Sequence, residues 1–255
     1  MYINPTAKLL RHPERLAAWR AGKVFPPIGV EIDLTNRCNL GCRFCHFGYT
    51  HTRGALSKQI SKEGLAEMGD EMDNLLLGRI LTEMKAFGVE SVTYTGGGEP
   101  TLYPFFLDAV GFAVNAGLKL GLYTNATLIT EAMASLIKES FEWVVVSMDY
   151  ADRDEYNSVK QSPSFEKAKH GTRYLTSAQG KAKIGVSFLL DARHNGAYTD
   201  EMQMLGRELG ADYIEFRPKV LFDLHNPGVP AEDTSWVNVG LRNLKLTPHL
   251  ISLVR

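Results

Sequence analysis

From about residue 28 onward, short runs of alternating or continuous apolar residues give way repeatedly to longer segments with apolar positions three and four apart. The short runs predict strands at Val30–Thr35, Ser91–Thr95, Lys119–Asn125, Trp143–Asp149, Lys183–Leu190 and Tyr213–Arg217. The longer ones predict helices at Met72–Phe87, Pro104–Ala116, Ile129–Ser140, Phe165–Ala178 and Asp200–Leu209. Glycines at 88, 117, 180 and 210 follow helical segments and precede strands, as at many αβ connections. Repeated strand–helix units predict a parallel sheet covered by helices. Ahead of them, Leu9–Lys23 reads as a leader helix with Leu9, Leu16 and Trp19 on an apolar face, stopped by Pro26 and Pro27 and packed on the main body.

Six strands suit either an open doubly wound sheet or part of a (β/α) barrel. Parity along the strands favours the barrel. Glu31, Asp33 and Thr35 share one face of the first strand, with Ile32 and Leu34 on the other. Thr93 pairs with Thr95, Ser147 with Asp149, and Glu215 with Arg217. A doubly wound sheet is covered on both faces and reads as nearly continuous apolar runs. One polar face on several strands fits a lumen that binds something. The expected fold is thus α/β, a partial (β/α)6 TIM-like barrel with a short N-terminal helical leader. Residues 1–27 form the leader, 28–222 the barrel and 223–255 a C-terminal extension.

Composition narrows the function. The chain has 255 residues, is 44% hydrophobic and 22% charged, and carries a formal net charge of −1. It lacks the basic excess that marks a nucleic-acid surface. No apolar run reaches the ~18 residues of a membrane span, and the first residues lack the apolar core of a signal peptide, so a cytoplasmic protein is expected. The three cysteines all lie between Cys38 and Cys45. An odd number inside one short stretch is no disulfide framework, and points to a metal.

That stretch, Thr35-Asn-Arg-Cys38-Asn-Leu-Gly-Cys42-Arg-Phe-Cys45-His-Phe, follows the first strand directly. The cysteines therefore occupy a loop at a strand's C-terminal end, where parallel α/β folds place their chemistry. Three thiolates can hold three irons of a [4Fe–4S] cubane and leave the fourth iron open to an outside chelate, such as the amino and carboxylate groups of an amino acid. A zinc site would need a fourth ligand, with His46 or His51 as the candidates.

Cys38-x-x-x-Cys42-x-x-Cys45, with Phe44 before the last cysteine, resembles the signature of the radical S-adenosylmethionine (SAM) superfamily. Thr95-Gly-Gly-Gly-Glu99-Pro100, at the end of the second strand, resembles that family's Gly-Gly-Glu motif, carried by Gly97, Gly98 and Glu99. Thr124-Asn125 resembles its Thr-Asn-Gly, with Ala126 in place of the glycine. The resemblance covers roughly Val24 to Pro218. It implies a [4Fe–4S] cluster on Cys38, Cys42 and Cys45, and SAM held by Gly97, Gly98, Glu99, Asn125 and Ser147. Asp149, Glu215 and Arg217 become candidate catalytic residues, and Glu31, Asp33 and Tyr123 join them as candidates for gripping substrate. The implied reaction is reductive cleavage of SAM to a 5′-deoxyadenosyl radical, which abstracts hydrogen from a polar small molecule, nucleotide, sugar or peptide side chain. An external electron donor such as flavodoxin or ferredoxin is implied too. The family's Gly-x-Ile-x-Gly-x-x-Glu motif has at best a distant version in Ile184-Gly185-Val186-Ser187, and no cysteine follows Cys45 for an auxiliary cluster. The chain is thus expected to be either minimal or a fragment. The competing readings are a non-catalytic zinc- or iron–sulfur-binding interaction module, and a phosphate-binding enzyme using Gly96–Gly98. No Lys-Ser/Thr follows those glycines as a Walker loop requires.

Overall fold

The computed structural model describes residues 12–45, 71–190 and 196–218. Six strands, β1 Gly29–Asp33, β2 Ser91–Thr95, β3 Lys119–Thr124, β4 Phe141–Asp149, β5 Lys183–Leu190 and β6 Tyr213–Pro218, form one sheet. Their spatial order is β1-β2-β3-β4-β5-β6, and each neighbouring pair is parallel. A doubly wound sheet reverses its strand order at a switch point. No reversal occurs here, so the sheet is that of a partial barrel, as parity predicts.

The helices among the described residues are α1 Pro13–Arg20, α2 Asn74–Phe87, α3 Phe106–Asn115, α4 Glu131–Ser140, α5 Arg153–Lys160, α6 Phe165–Ser177 and α7 Gly196–Glu208. Asp73, Thr130 and Asp152 cap α2, α4 and α5 by accepting hydrogen bonds from Leu76, Met133 and Glu155 N–H groups. Gly88 ends α2 in the left-handed conformation, at φ 103°. The strand faces divide as expected. Ile32, Val92, Tyr94, Leu120, Leu122, Val144, Val146, Ile184, Val186 and Phe188 are buried. Glu31 and Asp33 are exposed, and Thr93, Thr95, Tyr123, Ser147, Glu215 and Arg217 are partly exposed on the other face.

Two close approaches shape that polar face. Gly121 pairs in register with Trp143, and a Cβ on Gly121 would stand 2.3 Å from the indole. Gly185 pairs with Tyr213, and a Cβ there would stand 2.3 Å from the phenol ring. Two aromatic rings thus lie across glycines of neighbouring strands, which only a missing side chain permits. Tyr123 meets Trp143 edge-on, with centroids 5.2 Å apart.

The N-terminal element differs from expectation in its attachment. Leu9 lies outside the described residues, α1 buries no residue, and Trp19 is 68% exposed. Its tether is polar instead: Arg15 donates to the Gly88 carbonyl at 3.3 Å, to Glu90 at 3.0 Å, and to the Pro26 carbonyl. The expected C-terminal extension, 223–255, also lies outside the described residues, as do His46 and His51.

Candidate active site

The cysteine loop leaves β1 through Thr35, whose hydroxyl accepts from Arg37 N–H at 3.0 Å. Cys38, Cys42 and Cys45 are free thiols, each half-buried. A turn closes between two of them, Cys45 N–H donating to the Cys42 carbonyl at 3.1 Å. The loop is fastened to α5: Gly41 N–H donates to the Lys160 carbonyl at 2.9 Å and Arg43 N–H to the Val159 carbonyl at 3.0 Å. These carbonyls belong to the last turn of α5, which has no intrahelical donors for them, so loop and helix end satisfy each other.

Burial pushes the Cys42 thiol up to about 11, with Lys160 pulling the other way, and burial likewise raises Cys38. Each of these two thiols feels the charge of Cys45, and Cys42 feels that of Cys38, so the three lie within electrostatic reach of one another. Burial disfavours the anionic form of Cys38 and Cys42, and a bound metal centre would supply the positive charge that favours thiolates. Among the described residues no three His, Cys, Asp or Glu side chains converge as ligands of a single ion. Three soft sulfur donors in one loop are the ligand type that an iron–sulfur cluster takes.

The glycine turn after β2 docks on this loop. Glu99 N–H donates to the Arg37 carbonyl at 2.8 Å. A Cβ on Gly98 would stand 2.1 Å from that same oxygen, and one on Gly97 would stand 2.3 Å from Asn36 Oδ1. The glycines are therefore required by contact with the cysteine loop, a reason that sequence spacing alone does not reveal. The Glu99 side chain turns inward. It is 3% exposed, and its Oε1 accepts from Thr101 N–H, the Thr101 hydroxyl at 2.7 Å and the Thr124 hydroxyl at 2.6 Å. Oε2 accepts from Asn125 N–H at 2.7 Å. Burial raises its pKa against the pull of those four donors. This carboxylate ties the end of β2 to the end of β3 and is already hydrogen-bonded at both oxygens.

Asn125 is similarly engaged. Its Nδ2 donates to Asn39 Oδ1 at 2.9 Å, and its Oδ1 accepts from Thr127 N–H and hydroxyl at 2.9 and 2.7 Å. Asn39 lies between Cys38 and Cys42, so Asn125 braces the cysteine loop from the β3 side. Ala126 has φ 57°, the left-handed region in which the resembling motif carries glycine.

The fourth strand ends on two residues that part company. Ser147 is partly exposed on the lumen face, and its hydroxyl makes no hydrogen bond among the described residues. Asp149 follows a register shift, takes φ 63°, and is 4% exposed. Its carboxylate forms an ion pair with Lys160, which also donates to the Ser147 carbonyl at 3.2 Å. Asp149 is thus buried in an ion pair, and its charge also acts on Arg217. Burial alone would lower the Lys160 pKa; Asp149, Cys42 and Tyr156 together outweigh it and raise the pKa above the ordinary lysine range. Lys160 lies 5.3 Å from the centroid of the Phe44 ring. Neither α5 nor this lysine is foreseen by the periodicity of the sequence.

On β6, Arg217 pairs with Glu215 at 2.9 Å and stacks over Tyr123 at 4.7 Å from the ring centroid. Burial raises the Tyr123 pKa, and Glu31, Glu215 and Arg217 all act on it. Glu31, Tyr123, Glu215 and Arg217 thus share one region of the lumen.

Comparison with known proteins agrees with this geometry. The family model "Radical SAM superfamily" matches residues 32–191, more than half of the chain, and the chain belongs to that superfamily. A [4Fe–4S] cluster and SAM are the family's cofactors. The chain is 28% identical over 196 residues to a probable GTP 3′,8-cyclase of Halobacterium salinarum, covering 75% of this chain and 51% of that protein. It is 28% identical over 186 residues to the mycofactocin maturase MftC of Mycobacterium tuberculosis, covering 72% and 43%. Streptococcus suis SuiB bound to S-adenosylmethionine shares the fold, with TM-score 0.67 and 18% identity over 95% of this chain and 52% of that one. The chain spans about half the length of the curated relatives it matches. Among the described residues no helix is long and apolar enough to cross a membrane.

Proposed function

We propose that this chain is the catalytic core of a radical SAM enzyme, with its cluster on Cys38, Cys42 and Cys45 and its substrate in the polar lumen. The observation that carries this reading is the docking of the glycine turn on the cysteine loop through Glu99 N–H and the Arg37 carbonyl. When bound, the cluster and SAM together supply a 5′-deoxyadenosyl radical by one-electron cleavage of the C5′–S bond.

The residues of this chain bind, orient and shield. Cys38, Cys42 and Cys45 hold the cluster in a loop clasped on both sides. Backbone carbonyls around Gly97 and Gly98 offer acceptors to SAM's cationic amino group, and the Ser147 hydroxyl offers it a further polar contact. Glu99 and Asn125 act at one remove, fixing the turn and the loop, because their side chains are already hydrogen-bonded within the protein. Glu215 and Arg217, with Glu31, Asp33 and Tyr123, grip a polar substrate. Relatives named as a cyclase of GTP and a maturase keep both nucleotide and peptide substrates in view. The electron comes from a soluble donor such as flavodoxin or ferredoxin, and the setting is the cytoplasm. The working unit is the barrel at residues 28–222.

The test is anaerobic reconstitution with iron and sulfide, reduction with dithionite, addition of SAM, and an assay for 5′-deoxyadenosine. Product that disappears in Cys42→Ala supports the proposal. A cluster that forms but neither binds nor cleaves SAM, even with candidate substrates, would return the non-catalytic binding module to the front.

A further inference from the structure

The end of α5 meets the cysteine loop in three ways. Its last carbonyls, on Val159 and Lys160, accept from the amides of Arg43 and Gly41, the neighbours of Cys42 in sequence. The Lys160 side chain, 3% exposed, lies against the face of Phe44, which falls between Cys42 and Cys45 in sequence. Its ammonium is bound to Asp149 and to the Ser147 carbonyl. A fixed cation is thus buried beside a loop whose cysteines hold an iron–sulfur cluster in the function proposed above.

We propose that Lys160 is a positioning residue that seats the cysteine loop on the barrel and, through its ammonium, raises the reduction potential of the cluster. The inference rests on the assignment of the cluster to Cys38, Cys42 and Cys45. One-electron reduction adds a negative charge to the cluster, and a nearby cation stabilises the reduced form most where water is excluded. Asp149 carries the opposite charge and moderates the effect. Hydrogen bonding and charge around the ligands are the means by which a protein tunes a cluster it holds.

The experiment is a potentiometric titration of the reconstituted full chain, with the reduced cluster read by electron paramagnetic resonance. In Lys160→Met the ratio of reduced to oxidised cluster at a fixed potential should fall about tenfold, a shift of about 59 mV to more negative values for one electron. Lys160→Arg keeps the charge and should hold that ratio within about twofold, a small fraction of the same shift. Asp149→Asn removes the opposing carboxylate and should raise the potential. A Lys160→Met protein with full iron content and the wild-type potential overturns the proposal, and so does a negative shift in Asp149→Asn. If Lys160→Met fails to assemble a cluster, the sign of the Asp149→Asn shift decides. If the wild-type chain takes up no cluster, the assignment of the cysteines fails first, and this inference falls with it.

Discussion

The loop that carries Cys38 and Cys42 is braced on two sides, and the braces differ in chemistry. Towards β3 it is held by a hydrogen-bond network, Asn39 to Asn125 and, behind them, Glu99 with its four donors. Towards β4 it is held by a helix end and a buried ion pair, Lys160 with Asp149. The first brace spreads its load over many short polar side chains, each satisfied by neighbours, so losing one member leaves others in place. The second concentrates two opposite charges where water is excluded. Removing either charge strands the other, and the cost is then the desolvation of a lone ion. The loop therefore has one brace that degrades by steps and one that fails at once.

Substitutions can break this contrast in order of expected size. Lys160→Ala leaves the Asp149 carboxylate buried without its partner, and should cost about 3–5 kcal/mol of unfolding free energy in urea titrations. Glu99→Ala strips acceptors from four donors and should cost about 3 kcal/mol, since the buried groups cannot turn to water. Asn125→Ala keeps Glu99 in place and should cost only about 1–2 kcal/mol. If Asn125→Ala proved as damaging as Lys160→Ala, the idea of a graded brace and a brittle one would be wrong. Ala126→Gly should be the smallest change, under about 1 kcal/mol. Relief of the left-handed backbone, worth about 1 kcal/mol, is offset by loss of a buried methyl worth about 0.8 kcal/mol.

Acidity sharpens the same comparison. Burial lifts the folded-state pKa of Glu99 above its unfolded value of about 4.3. A carboxyl raised in this way contributes stability that is fully present below the unfolded pKa and lost as pH rises through the folded one. Glu99→Gln has no such group, so the variant should gain stability relative to the wild type as pH rises from about 4 towards neutrality. Paired urea titrations across that range check the sign. The opposite slope would mean that the four donors outweigh burial and hold Glu99 as the anion.

Much of the barrel is legible in the sequence because alternation is a local property. Ser91–Thr95 and Lys183–Leu190 are read with their observed limits, and the division of Glu31 and Asp33 from Ile32 and Leu34 anticipates the lumen. The α5 segment, Arg-Asp-Glu-Tyr-Asn-Ser-Val-Lys, escapes because it is almost wholly polar and buries itself through Tyr156 and a lysine. Its signal was Asp152 three residues ahead of Glu155, the start of a capped helix rather than an apolar stripe. The roles inside the site escape for another reason. Glu99 and Asn125 are found by motif, but their partners Thr124 and Asn39 lie on other segments, and the pairing of Asp149 with Lys160 follows from a shift of register that periodicity does not show. The leader is legible as a helix, while its attachment through Arg15 depends on carbonyls more than ten residues away.

The rings laid over Gly121 and Gly185 bear on how this lumen could change over generations. Gly121 and Trp143 sit on adjacent strands as one interlocked pair, and Gly185 and Tyr213 as another. A side chain at either glycine collides with its ring, while a smaller residue at either ring leaves a hole over a bare backbone. Neither member can be replaced alone without loss, so new floor shapes are reachable only by paired substitutions. Arg217 and Glu215, further along β6, are partly exposed and lie in register with Leu189 and Ser187 rather than with glycines. Lineages of this fold should therefore explore new substrates through the rim of the lumen long before they alter its depth.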